Sequence, residues 1–192
     1  IPSADSAVYT LSSTAGDEYG VARGASGTDN LSHQITVGDI KIGAEIQKGA
    51  GTSTSWGLQY SGIDSLTVGV GISDISPGAQ DGGSDSETIG AKYVMGGITL
   101  GYQVTEVDLS ANDEDAVHMG VSFAVNDDLT VSYGRQTVEI QGAASDEVNS
   151  GFSGSYTMGS MSFVGYVNKT ENIAGASASN AETKGITLSI SF

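Results

Sequence analysis

Apolar and small polar residues alternate along most of this chain of 192 residues, and this period of two constrains the fold more than any other feature. In the stretch SLTVGVGIS, Leu66, Val68, Val70 and Ile72 fall on one face, and small residues fall on the other. Helical spacing is nowhere sustained. Because a strand places successive side chains on opposite faces, the sequence predicts an all-β protein with two-faced strands. The eleven predicted strands span residues 31–37, 40–48, 53–61, 65–75, 86–95, 98–108, 115–125, 129–140, 148–158, 161–171 and 182–192.

The predicted connections alternate between short turns and longer polar links. The short turns are placed at Gly38–Asp39, Gly62–Asp64, Gly96–Gly97, Asn126–Asp128 and Gly159–Ser160. After Gly62 they recur about every 32 residues, which makes a hairpin of two strands the repeating unit. The intervening links, such as DISPGAQDGGSDSE and ENIAGASASNAE, are longer and often acidic. Short turns at one end and longer loops at the other, joined by strands of about ten residues, are what a transmembrane β-barrel requires.

The character of the two faces favours a membrane barrel over a soluble sandwich. A sandwich leaves a charged outer face, whereas the non-apolar face here is Gly, Ser, Thr and Gln with sparse charge. The apolar stripe ends in aromatic residues or Met beside the short turns, as an interfacial girdle does. The girdle residues are Tyr60, Tyr93, Phe123, Tyr156 and Phe192. One charged residue, Arg135, falls on the apolar face, where either it extends toward the interface or a bulge shifts the register.

Composition excludes several classes of partner and site. Seven basic residues against 23 acidic ones give a net charge of −16, which argues against a nucleic-acid partner. The same imbalance argues against binding anionic lipid through Lys and Arg. The absence of Cys excludes disulfides and thiolate metal sites. No stretch approaches the 18 consecutive apolar residues of a transmembrane helix, and Ile1 does not begin a signal sequence, so the chain is either mature or lacks its beginning.

The sequence predicts neither an enzyme nor a metal or cofactor site. His118 lies in mid-strand, and no Ser–His–acid set is suggested by the spacing. His33, which could join His118 as a metal ligand, falls on the outward face of its strand. The acidic stretch DLSANDED lacks the ligand spacing and the Gly of an EF-hand loop. The Gly-x-Gly patterns lie inside strands without a following helix, so they are not phosphate-binding loops.

The closing stretch GITLSISF, which ends on Phe192, and the strand–turn–strand–loop order of residues 31–192 resemble the general porins of the Gram-negative bacterial outer membrane. The resemblance implies that the last strand closes a barrel and that its terminal aromatic residue is read by the assembly machinery. It also implies a homotrimer packed through the barrel wall, where Ala44, Ala91 and Gly154 are small enough for close approach. Outer-membrane lipids and lipopolysaccharide are the implied partners, with divalent ions bridging acidic loops to the latter.

Eleven strands conflict with the even number found in bacterial barrels, and two interpretations restore it. If the chain holds the last eleven strands of a sixteen-stranded porin, residues 1–30 fall where that family has a long loop folded into the lumen. Asp5, Asp17, Glu18 and Arg23 would then face the constriction. Alternatively, a strand near residues 3–13 makes a complete twelve-stranded barrel. We favour the first interpretation, with residues 31–192 as a single domain of strands and loops.

The polar face then becomes the wall of a water-filled channel for passive diffusion of small hydrophilic solutes and ions. Orienting each strand by its apolar stripe places eight larger polar residues on the lumen side. They are Lys41, Glu45, Gln47, Gln59, Lys92, Gln103, His118 and Gln136. Acidic loops at the mouth raise the local cation concentration over about a Debye length, which predicts a weak preference for cations. The alternative is a small, non-conducting outer-membrane barrel that serves in adhesion or as a surface receptor.

Overall fold

The computed structural model describes residues 29–48, 52–75, 84–109 and 112–190. Phe192 and the constriction candidates Asp5, Asp17, Glu18 and Arg23 lie outside these residues, as does the strand that the alternative interpretation places near residues 3–13. Within the described ranges, no helix has both the length and the apolar character needed to cross a membrane.

The eleven predicted strands are confirmed, and their ends differ from the predicted ones by at most two residues. They form one antiparallel sheet in which the strands follow chain order. The strands are β1 (Asp29–Val37), β2 (Ile40–Lys48), β3 (Thr52–Ile63), β4 (Leu66–Ile75), β5 (Ser84–Met95), β6 (Ile98–Leu109), β7 (Glu114–Ala124), β8 (Leu129–Ile140), β9 (Glu147–Met158), β10 (Met161–Glu171) and β11 (Ala181–Ile190). A short 3₁₀ turn, Ile173–Gly175, lies between β10 and β11. The described residues fall into two compact units, 29–91 with 103–116 and 92–102 with 117–190.

The turn predicted at Gly62–Asp64 is misplaced. Strand β3 continues to Ile63, and the turn is formed by Asp64 and Ser65. Gly62 lies instead where the pairing of β3 with β4 shifts register, between Tyr60 and Ile63. The ring of Tyr60 occupies the space that a Cβ at Gly62 would need. The glycine is therefore required by this close approach and not by a turn.

Solvent exposure in this sheet is the reverse of that in a soluble protein. Among the described residues, the fully buried hydrophobic side chains are only Val107, Ala116 and Val138. The buried polar side chains are more numerous: Glu45, Ser73, Ser86, Thr88, Gln103, Thr105, His118 and Gln136. Large apolar side chains such as Trp56, Leu100 and Phe152 are about half exposed on the opposite face. Contiguous exposed apolar surface on this scale is not tolerated in water, whereas lipid accommodates it.

The exposed apolar face forms a belt that is three or four outward positions deep on strands β4–β10. On β6 it runs from Ile98 through Leu100 and Tyr102 to Val104, and the next outward position is Glu106. Four alternate residues span roughly 20 Å along a strand, comparable with the ~25 Å apolar band of transmembrane barrels. The first charged outward positions on the other central strands include Asp74, Glu87, Asp115, Arg135 and Lys169. Charge thus begins at a similar distance from the short turns on each of these strands.

Arg135 points outward at the edge of this belt that is farther from the short turns. The pairing of β8 with β9 is continuous through Arg135 and Ser150, so no bulge shifts the register. The same row continues through Lys169 to Glu182. Ion pairs on the outward face join Lys169 to Glu171 and Lys184 to Glu182, at 2.8 and 2.9 Å. Of the two interpretations of Arg135, the structure favours the side chain that extends from the edge of the apolar belt.

Candidate functional site: the polar face of the sheet

In the first unit, strands β2, β3 and β4 align their polar residues in rows. Lys41 pairs with Gln59, and Glu45 pairs with Ser55. Both predicted charged residues therefore share one face with Gln59, opposite the exposed Ile42. Between the two rows, three paired glycines leave the backbone bare of side chains: Gly43, Gly57 and Gly71. Gln47 lies in β2, but its side chain is outside the described part of the structure.

Three buried side chains form a hydrogen-bonded cluster between β5 and β6 of the same unit. The hydroxyls of Thr88 and Thr105 lie 2.8 Å apart, and the Gln103 amide donates to Thr105 Oγ1 at 3.2 Å. Gln103 lies on the face that the alternation predicts for it, whereas the two threonines were not among the predicted pore-lining residues. Alternation places both threonines on the polar face, but nothing in the sequence marks them as partners. The cluster ties two strands together through side chains as well as through the backbone.

Removing the hydroxyl of Thr105 is expected to destabilise the protein. Thr105→Val leaves Thr88 Oγ1 buried without this partner and removes one hydrogen bond of Gln103, at an expected cost of about 1–3 kcal/mol. Urea titration of the protein folded in phospholipid vesicles measures the free energy of unfolding. The double variant Thr88→Val/Thr105→Val is expected to lose less than the sum of the single losses, because the hydroxyls share one bond. Strictly additive losses would contradict the cluster.

In the second unit, a row of larger polar side chains crosses four strands. Ser132 Oγ donates to Ser122 Oγ at 3.2 Å, so these two residues face each other across β7 and β8. Because the strands are antiparallel, His118, four residues before Ser122, faces Gln136, four residues after Ser132. Gln136 pairs with Asn149, which pairs with Thr170. The row of His118, Gln136, Asn149 and Thr170 is therefore continuous across β7–β10.

Hydrogen bonds link the last three members of this row. Thr170 Oγ1 donates to Asn149 Oδ1 at 2.7 Å, and Asn149 Nδ2 lies 3.5 Å from Gln136 Oε1. Asn149 Nδ2 also donates to Glu147 Oε1 at 2.8 Å. His118 and Gln136 were predicted to lie on this face, whereas Asn149, Thr170 and Glu147 were missed. Extending the alternation of β9 back from Phe152 would have placed Asn149 and Glu147 opposite the apolar stripe.

Nearer the short turns, the polar face of the second unit carries small side chains. Lys92, on β5, is the exception among the predicted residues, and it alternates with the outward Tyr93. The remaining positions there are mostly Ser, Thr, Gly and Ala, including Thr99, Gly101, Gly120, Ser122, Ala124, Thr130, Ser132, Ser153, Ser155, Thr157, Ser162, Thr187 and Ser189. Such a surface is hydroxyl-rich, so it can be wetted along its length.

The apolar face carries the described girdle residues. Tyr93, Phe123 and Tyr156 are each a little over two-fifths exposed there. Tyr156 pairs with Leu129 on one side and with Phe163 on the other, so apolar residues adjoin it along the belt. His33 also faces outward, opposite Ala44. In the part of the chain that is described, no group of three or more His, Cys, Asp or Glu side chains is arranged to hold a metal ion.

Comparison with known proteins identifies the fold. No protein-family model and no curated protein sequence matches the chain. Among solved structures, a porin aligns with 83% of this chain and 61% of its own at 17% identity and a TM-score of 0.68. An anion-selective porin from Comamonas acidovorans aligns with 85% of this chain and 59% of its own at 13% identity and a TM-score of 0.67.

The chain thus spans about three-fifths of the length of these two proteins. The NanC porin aligns with 85% of this chain and 92% of its own, at 11% identity and a lower TM-score of 0.54. The resemblance drawn from the sequence is confirmed for the fold, which is that of the outer-membrane porins. The first two neighbours are longer than this chain and the NanC porin is of similar length, so each interpretation of the strand count has a structural counterpart.

Proposed function

We propose that this chain forms the wall of a water-filled channel for passive diffusion of small hydrophilic solutes and ions across the outer membrane of a Gram-negative bacterium. The observation that carries the proposal is the inversion of the sheet, with Gln103, His118 and Gln136 buried on one face and Leu100 and Phe152 exposed on the other. A polar inner wall and an apolar outer belt are the properties of a diffusion pore in lipid. The porin fold supports the same function.

The proposed pore-lining residues are those that the sequence predicted. Lys41, Glu45 and Gln59 contribute from the first unit, together with Gln47 and Gln103, and Lys92, His118 and Gln136 contribute from the second. Of the segment 1–30 that the sequence assigned to the constriction loop, residues 1–28 are proposed to form it, because Asp29 and Asn30 belong to β1. In the row that holds His118, the residue opposite it on β8 is the amide Gln136, and the hydroxyl of Thr170 lies three strands away and donates to Asn149. This arrangement supports a channel over a hydrolase, in which a base would lie within hydrogen-bond reach of the nucleophile.

We further propose a homotrimer in contact with outer-membrane lipids and lipopolysaccharide. Small outward residues support close packing of barrel walls: Ala44 is exposed, and a Cβ at Gly154 would have open space around it. The charged outward row at the edge of the apolar belt, which includes Arg135 and Lys169, is at the height where lipid headgroups are expected. A non-conducting barrel for adhesion or surface recognition is the alternative, and no contact in the described residues favours it.

The selectivity of the channel is proposed to be weakly cationic, as the net charge of −16 suggests. One structural neighbour is named as anion-selective, so the fold alone does not determine whether cations or anions are preferred. The charges along the channel must determine this preference. Glu87, in the link DISPGAQDGGSDSE, and Asp108, in the stretch DLSANDED, lie on the outward face of strands and not at the mouth. Asp113 and Asp146, which lie in loops and are exposed, are the better candidates for the mouth.

Single-channel recording in a planar bilayer under a potassium chloride gradient tests this proposal. We expect stepwise currents and a reversal potential of cationic sign that weakens from 0.1 M to 1 M salt, because the Debye length falls from about 10 to about 3 Å. Asp113→Asn/Asp146→Asn should reduce the preference, whereas the matched outward pair Glu87→Gln/Glu106→Gln should not. Inserted protein without current would favour the non-conducting alternative, and an anionic reversal potential would overturn the cation preference alone.

A further inference from the structure

The loop between β10 and β11, residues 172–180, extends over the polar face of the sheet. Its Ala174 N–H donates to Glu147 Oε2 at 2.6 Å. Glu147 belongs to the polar face, because its other oxygen accepts from Asn149 and because it pairs with the fully buried Val138. The 3₁₀ turn within the loop contacts both β8 and β9. The loop is therefore attached to strands two and three positions away from β11, on the face opposite the apolar belt.

A second set of contacts joins this loop to the loop between β8 and β9. The hydroxyls of Ser145 and Ser177 lie 2.8 Å apart. Gly175 is buried against the other loop, and a Cβ at this position would collide with Ala143. The φ of +72° at Gly175 independently favours glycine. The two loops thus pack directly on each other, in addition to the hydrogen bond between Ala174 and Glu147.

Hydrogen bonds inside the β10–β11 loop fix its shape. Asn172 adopts a left-handed conformation, and its Oδ1 accepts from Ala178 N–H at 3.2 Å. Its backbone N–H donates to Asn180 Oδ1 at 3.1 Å, and its amide nitrogen donates outside the loop, to Asp146 O of the β8–β9 loop, at 3.0 Å. Ala174 and Ala178 are also left-handed, a conformation that costs a non-glycine residue free energy and persists only where surrounding contacts enforce it. The loop is therefore a defined element and not a loosely tethered link.

We propose that the β10–β11 loop is a fixed lip over the polar face that limits the size of the solutes admitted, and that Glu147 is the residue that positions it. The inference rests on the proposed channel function. Glu147 suits this role because its carboxylate accepts one hydrogen bond from the loop and another from the polar face of β9. One oxygen holds the lip through Ala174, and the other holds the interior row through Asn149. Removing the carboxylate breaks the bond that holds the lip to the wall at β9, while leaving the backbone pairing of β9 and the contacts of the lip with the β8–β9 loop in place.

The first test compares two carboxylates at the same end of the same strand pair. Glu147→Ala is expected to raise the single-channel conductance by tens of per cent and to admit larger uncharged sugars in a liposome-swelling assay. Glu139→Ala removes the same charge from the exposed, outward face of β8 and is expected to leave both quantities unchanged. Glu147→Gln keeps one oxygen acceptor and should recover part of the original size limit. A Glu147→Ala channel with unchanged conductance and unchanged sugar limit would overturn the inference.

A disulfide provides the complementary test, because the chain contains no Cys that could interfere. Ser145→Cys/Ser177→Cys is expected to oxidise in the folded protein without changing the conductance, since the two side chains already meet there. Combined with Glu147→Ala, the oxidised disulfide should restore the original conductance, and reduction should raise it again. Failure of the two cysteines to bridge in the folded protein would overturn the position of the lip. Because bridging is read without current, loss of conduction in all variants would count against the channel and not against the lip.

Discussion

Replacing Leu100 with Arg is expected to destabilise the folded protein in a bilayer by about 2–4 kcal/mol. Leu100 lies inside the apolar belt between Ile98 and Tyr102, and 45% of it is exposed. In water, an exposed Leu→Arg change costs little, usually within about 0.5 kcal/mol. In lipid, the guanidinium must be desolvated or must extend to the interface. The predicted loss therefore depends on what surrounds this face. Reversible unfolding by guanidinium in phospholipid vesicles measures the free energy.

The adjacent residue provides the matched control. Thr99 lies on the polar face of the same strand, so Thr99→Arg is expected to cost less than about 1 kcal/mol while shifting the selectivity of the channel toward anions. Stability should thus respond to the first substitution, and ion selectivity to the second. Equal small losses at both positions would indicate that water contacts both faces of the sheet. Equal large losses would indicate that neither face is wet.

The sequence was sufficient to predict the strands because each outward position of the belt has to be apolar. On β6 the four outward residues from Ile98 to Val104 are all large and apolar, so the period of two is unmistakable and its phase assigns the faces. The same phase correctly placed Gln103 opposite the apolar stripe. The turn near Gly62 was misplaced because glycine serves two purposes, and only the ring of Tyr60 shows which one applies here.

The hydrogen-bonded partners on the polar face were not predictable in the same way. A slip of two residues between neighbouring strands preserves both faces but changes every partner, so alternation does not fix the register. Thr88 and Thr105 are common residue types for a wet wall, and only their register makes them a pair. The lip was missed for a related reason. The bond that turns the loop toward the polar face joins Ala174 to Glu147, which is 27 residues earlier in the chain.

Cysteine scanning across β2 and β3 is expected to separate the two faces by reactivity. Lys41→Cys should react in intact membranes with a negatively charged thiosulfonate reagent, because Lys41 is half-buried on the polar face opposite Gln59. Ile42→Cys, one residue further on, should react at least roughly a hundredfold more slowly, since lipid excludes the charged reagent and disfavours the reactive thiolate. Gln59→Cys should behave like Lys41→Cys. Both thiols must react fully after denaturation for the comparison to hold.

Modification of Lys41→Cys also reports on selectivity. The substitution removes a positive charge from the proposed wall, and the reagent then adds a negative one, so the cation preference should increase at each step. Gln59→Cys lies in the same row but begins uncharged, so only its second step should alter the reversal potential. Reactive cysteines with unchanged reversal potentials would mean that water reaches this face but that ions do not pass it. Reactivity at Ile42→Cys equal to that at Lys41→Cys would remove the basis for assigning lipid to one face and the aqueous channel to the other.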